Sequence, residues 1–115
     1  MKLTNFLLDI SHKITNIEIE AKASLSNDSN DHYKNLMHEK ALLLSSLYEE
    51  AKKQDVSDIK NSDKILSRIK EFSDSADDSL VVNSPWFMSA LLYPDDYMEG
   101  DLNKLQKLIE EIEYK

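Results

Sequence analysis

Leu3, Leu7, Ile10, Ile14, Ile17 and Ala21 recur at spacings of four, three, four, three and four, which places them on one stripe of a helix running from about Lys2 to Ser26. Asn27-Asp28-Ser29-Asn30-Asp31 follows. These short polar side chains compete for backbone hydrogen bonds, so the run predicts a loop that ends one helix and caps the next. From His32 to about Gln54 the apolar set Leu36, Met37, Leu43, Leu44, Leu47, Tyr48 and Ala51 forms a broader stripe. It is wide enough to meet two neighbours and puts this helix at the centre of the core. A third helix is predicted from an N-cap at Ser57 to about Ser75, with Ile59, Leu66, Ile69, Phe72 and Ala76 inward and Lys60, Lys64, Arg68 and Lys70 outward.

Asp74 to Asn83 mixes Ser, Asp and Val and predicts a linker. Ser84-Pro85 then sets a helix start, because serine caps and proline fixes φ for the first turn. A short helix is expected over Trp86 to Leu92, ended by Pro94, which disfavours helical geometry at Tyr93. Pro94-Asp95-Asp96 predicts a turn or a new helix start. Asp101 is placed to cap a last helix carrying Leu102, Leu105, Leu108, Ile109 and Ile112. The expected fold is all-α: one domain over residues 1–115, an antiparallel bundle of three to four long helices plus one short aromatic helix folded across an end or along a face. The alternative is an extended helical hairpin that dimerises through the first helix, whose stripe approximates a coiled-coil seam.

Composition supports helices, since a single glycine and two prolines leave few tight turns. With 41% hydrophobic and 31% charged residues the chain is too apolar for disorder and too charged for a membrane protein. Met1 to Ile10 has neither a continuous apolar run nor a small-residue cleavage site, so no signal peptide is expected and a cytoplasmic protein is the expectation. The abundance of Lys, Asn, Ile and Ser suggests a bacterial or phage origin. There is no cysteine, which removes disulfides and thiolate chemistry.

Charge singles out one region. The net charge is −8, which disfavours nucleic-acid backbones and anionic lipid as partners. Between Glu71 and Asn103 there are eight acidic residues and no lysine or arginine. The same stretch holds Trp86, Phe87, Met88, Leu91, Tyr93, Tyr97 and Met98. On a helix Trp86 and Phe87 point about 100° apart, so one face cannot take both together with Leu91.

The chemical motifs fail one by one. Asp9-x-x-His12 is a single carboxylate–imidazole pair where a di-iron bundle needs two Glu-x-x-His copies and two further glutamates. His38-Glu39 lacks the second histidine of a zinc protease, because residue 42 is leucine. Asp95 to Gly100 has acids in the first and fifth places and glycine in the sixth of a calcium loop, but Tyr97 and Gln106 occupy ligand positions. Glu18, Glu110 and Glu113 read as solvated faces rather than magnesium ligands, and exposed pairs such as Glu49 with Lys53 fit that reading.

No cofactor, metal or catalytic residue is therefore expected. The expected function is a non-enzymatic interaction module, chaperone-like or adaptor, holding a basic or helical protein segment through Trp86, Phe87, Met88, Leu91, Tyr93 and Tyr97. Aromatics and methionine are enriched in interface cores, and surrounding acids select basic partners. A short acidic chain with an amphipathic helix at each end is an architecture shared by small bacterial secretion chaperones and adaptor proteins, without a shared motif. Two alternatives compete: an acidic regulator occupying a basic nucleic-acid-binding site on another protein, and a metal-dependent enzyme with carboxylate ligands.

Overall fold

The computed structural model describes residues 1–27 and 30–115. The fold is all-α, with six helices among the described residues: α1 (Leu3–Ser26), α2 (Asn30–Ser45), α3 (Leu47–Ala51), α4 (Ser62–Val82), α5 (Pro85–Ala90) and α6 (Lys104–Glu110). The predicted loop contracts to the α1–α2 junction, where Asn27 follows α1 and Asn30 already opens α2; its Asp28 and Ser29 lie outside the described residues. Among the described residues no helix is long and apolar enough to cross a membrane.

The α1 stripe is buried as predicted, with Leu3, Leu7 and Ile14 fully enclosed and Ile10, Ile17 and Ala21 nearly so. Its neighbours are α2, α3 and α6. A self-association seam along that stripe would have to displace this core. α2 runs antiparallel to α1: the α1 start meets the stretch that follows α3, where Leu3 N–H donates to Asp55 O at 2.9 Å, while Glu20 near its end meets His32 at the start of α2. α4 then packs against α2 and α3, bringing Ser73 to Leu44 and Asp77 to Ser45.

The predicted second helix is broken at Ser46 into α2 and α3, and the cause is Ser73. Its hydroxyl donates to Leu44 O at 2.7 Å and accepts from Tyr48 N–H at 3.0 Å. The oxygen thus stands between the two backbone groups that would otherwise bond each other, and an inserted side chain is a recognised cause of a helix break.

Three boundaries depart from expectation. No helix starts at Ser57, because Asp55 accepts from Ser57 N–H at 2.9 Å in a local turn and the stretch is tied to distant backbone. Lys60 N–H donates to Glu113 O at 2.7 Å, and the Asn61 side chain bridges Glu111 O and Glu113 N–H, each at 2.9 Å. The predicted linker from Asp74 to Asn83 is instead the last two turns of α4. Its inner face is carried by Ala76 and Ser79, both fully buried, so small residues let α4 pack closely where a hydropathy pattern shows little. Asp101 does not cap the last helix: Asn103 does, in a capping box with Gln106 whose two bonds are 2.9 and 2.8 Å. Asp101 instead accepts from Met98 N–H in a turn that includes Gly100 at φ +96°. Surface pairing also shifts by one residue, to Glu49–Lys52 and Glu50–Lys53.

Candidate interaction groove

α5 begins where the sequence says it should. Ser84 accepts from Phe87 N–H at 3.2 Å, and Pro85 occupies the first turn. The helix ends at Ala90, two residues before the predicted Leu92. A continued helix would point Leu91 and Leu92 about 100° apart. Breaking it buries both. The break sets Leu92 at φ +75°, in the left-handed region, which for a non-glycine residue costs about 1–2 kcal/mol. Lys104 N–H donates to Leu92 O at 2.8 Å and helps hold that conformation.

The six residues expected to form one contact surface divide into three settings. Trp86 is 79% exposed and Phe87 39%. Met88 is 1% exposed and belongs to the core, and Leu91 is buried at its edge. Tyr93 and Tyr97 are half-buried on the far side of the segment, with ring centroids 4.7 Å apart in an edge-to-face arrangement. Trp86 and Phe87 wall an open groove of about 260 Å³, floored by Leu44, Phe72, Leu91 and Leu92, with Ser75 and Lys104 at its margins.

Charge around the groove is acidic on the α4 side. Glu71, Asp78 and Val82 lie four residues before, three after and seven after Ser75, hence beside it on the helix surface. All three are exposed, and Val82 at 62% extends the apolar surface beyond the groove. Glu71 pairs with Arg68 at 3.3 Å, whereas Asp78 makes no ion pair among the described residues.

The other side of the segment is held by a residue that sequence reasoning missed. Lys40 is fully buried, which lysines almost never are unless paired. Its ammonium donates to Leu91 O at 3.0 Å and Ser89 O at 3.2 Å, lies 3.6 Å from Glu18 Oε2, and sits 5.0 Å from the Tyr93 ring centroid. Burial pushes the Lys40 pKa down, and the Glu18 carboxylate works against that shift. The Tyr93 hydroxyl donates to the same carboxylate. Burial and that bond hold the phenol above its ordinary range. One signal for Lys40 did exist: Leu36, Lys40 and Leu44 are spaced by four, which puts the lysine in the inward stripe of α2.

A second, more polar groove lies between α1 and the α5–α6 connection, with Glu18, Ile19, Tyr93, Tyr97 and Asn103 among its lining residues. Among the described residues no three His, Asp or Glu side chains converge to hold a metal ion. Asp9 and His12 are exposed, and the His32 ring lies 3.2 Å from Glu20 on the surface.

Comparison with known proteins leaves the fold and the groove to speak for themselves: no family model, no curated protein and no solved structure matches this chain.

Proposed function

We propose that this protein is a non-enzymatic interaction module, a chaperone-like or adaptor bundle that seats a basic, helical segment of a partner protein in the groove beside α5. The observation that carries the reading is Trp86, four-fifths exposed at the wall of an apolar groove. Water exposure of a large aromatic beside further apolar surface is unfavourable in the free chain, and its burial on association supplies the driving force. The groove volume suits one or two bulky apolar side chains, the anchors of a helix-in-groove contact. Asp78, beside Ser75 on the α4 surface and in no ion pair among the described residues, favours lysine or arginine flanking those anchors.

Occupation of a basic nucleic-acid site by carboxylates alone draws less support. Arg68 pairs with Glu71 and Lys70 with Asp74, which neutralises two of the acids on the α4 surface.

The test uses a synthetic amphipathic helix with leucines at i, i+4 and i+7 and lysines elsewhere, beside a counterpart with glutamates in place of the lysines. Trp86 is the sole tryptophan, so its emission reports on the groove alone. The lysine peptide is expected to shift the emission to shorter wavelength and to bind more weakly as salt rises. No shift with either peptide removes the groove as a binding surface, and equal affinity for both removes the basic partner.

A further inference from the structure

Lys40 poses a question that packing alone does not answer. A buried ammonium is difficult to accommodate, and replacing a buried ion pair by apolar side chains of similar volume is often neutral or stabilising. A methionine would fill the same space. What the ammonium does, and methionine would not, is hold the end of α5: it donates to the carbonyls of Ser89 and Leu91 and lies beside Glu18, which also accepts from Tyr93.

Beyond the packing of Met88, Leu91 and Leu92, few backbone bonds fix this stretch. Among the described residues, one backbone hydrogen bond ties residues 85–97 to another element, from Lys104 N–H to Leu92 O. The remaining backbone bonds within those residues are local to α5 and its turns. Leu92 carries a left-handed backbone, a conformation that persists only where its surroundings impose it. Upstream, Asn83, the residue after α4, has φ +50°, so a left-handed residue flanks α5 on either side. Met88 on the inward face of α5 and Leu91 and Leu92 just after it are all buried.

We propose that residues 84–93 form a latched lid. Closed, it walls the groove beside α5; opened by release of the Lys40 ammonium, it bares Met88, Leu91 and Leu92 and enlarges the apolar surface offered to the same partner segment. This assigns a regulation to the groove and rests on the interaction reading for its purpose. The latch has one component within reach of solvent, Glu18, whose side chain is partly exposed and lines the second groove.

The test is residue-resolved amide exchange on the whole chain without any partner, followed through a series of low denaturant concentrations. Its result is therefore independent of whether the lysine peptide binds. The Met88, Leu91, Tyr93 and Lys104 amides, all hydrogen-bonded in the closed form, are expected to exchange at least tenfold more readily than those of Ile14 and Ile69. Their dependence on denaturant should be shallower, the signature of sub-global opening. Lys40→Met is expected to speed exchange of the lid amides a further tenfold or more. Should that variant fail to fold, Glu18→Gln, which removes the counter-ion but keeps an acceptor for Tyr93, is expected to act in the same direction. Lid amides that follow the same rates and denaturant slope as Ile14 and Ile69 would overturn the lid. Unchanged lid exchange in the folded variant would overturn the latch.

Discussion

The two faces of α5 differ by one residue step and by almost everything else. Trp86 and Phe87 look outward across a groove, while Met88, the next residue, is sealed in the core. The outward face leaves apolar area uncovered among the described residues, most of it on Trp86. The inward face, with the turn that follows it, has a buried lysine, a carboxylate and two left-handed or broken backbone positions that keep Leu91 and Leu92 beneath it. A short helix of six residues has little stability of its own. Its inward face fixes it in place so that its outward face can be displayed.

If the inward face is core, truncating it should damage the fold. Met88→Ala removes a fully buried side chain and is expected to lower the unfolding free energy by about 2–5 kcal/mol in denaturant titration. A loss below about 0.5 kcal/mol would mean that α5 is not packed as a core element, and the contrast between its faces would vanish.

A smaller effect sharpens the same side. The Tyr93 pKa is raised in the folded chain by burial and by its bond to Glu18. In the unfolded chain the phenol loses its proton near pH 10. The stabilisation is therefore complete below about pH 10 and is lost as pH rises toward the higher folded value, because the unfolded chain then holds fewer protons than the folded one. Lys40 has the opposite sign: its lowered pKa makes stability rise with pH over the window just below its ordinary value of 10.5. Absorbance at alkaline pH is expected to show a late phase of tyrosine ionisation from Tyr93. In Tyr93→Phe that late phase should disappear. A late phase that survives the substitution assigns it to another tyrosine and removes the Glu18 bond from the account.

Much of the fold was legible because apolar periodicity is a local signal. The α1 stripe, the Ser84-Pro85 start and the burial of Leu105 and Leu108 on α6 all follow from residues within a few turns of each other, whereas Leu102, expected in the same stripe, precedes α6 and is exposed. The departures arise where distant groups intervene. Ser73 breaks the α2–α3 helix from 25 residues away, and Asn61 is held by backbone near Glu113, 52 residues on. No local pattern encodes either contact. The extension of α4 through Asp74 to Val82 was obscured for another reason: beyond Ala76, which the pattern already turns inward, the buried face is Ser79, which registers as polar. Within the candidate site, Trp86 and Phe87 were found by composition, whereas Lys40 was hidden because charge suggests surface when read without its neighbours.

The central claim is that the outward face of α5 contributes to binding and not to folding. Measuring Trp86→Ala for both properties tests it most directly. The unfolding free energy is expected to stay within about 0.5 kcal/mol of the native chain, since an exposed side chain away from the core is removed. Affinity for the lysine-rich helical peptide, followed by calorimetry, is expected to fall by about 2 kcal/mol, roughly thirtyfold, as for an aromatic anchor in an interface. A variant that loses about 2 kcal/mol of stability while binding the peptide as before would contradict the account.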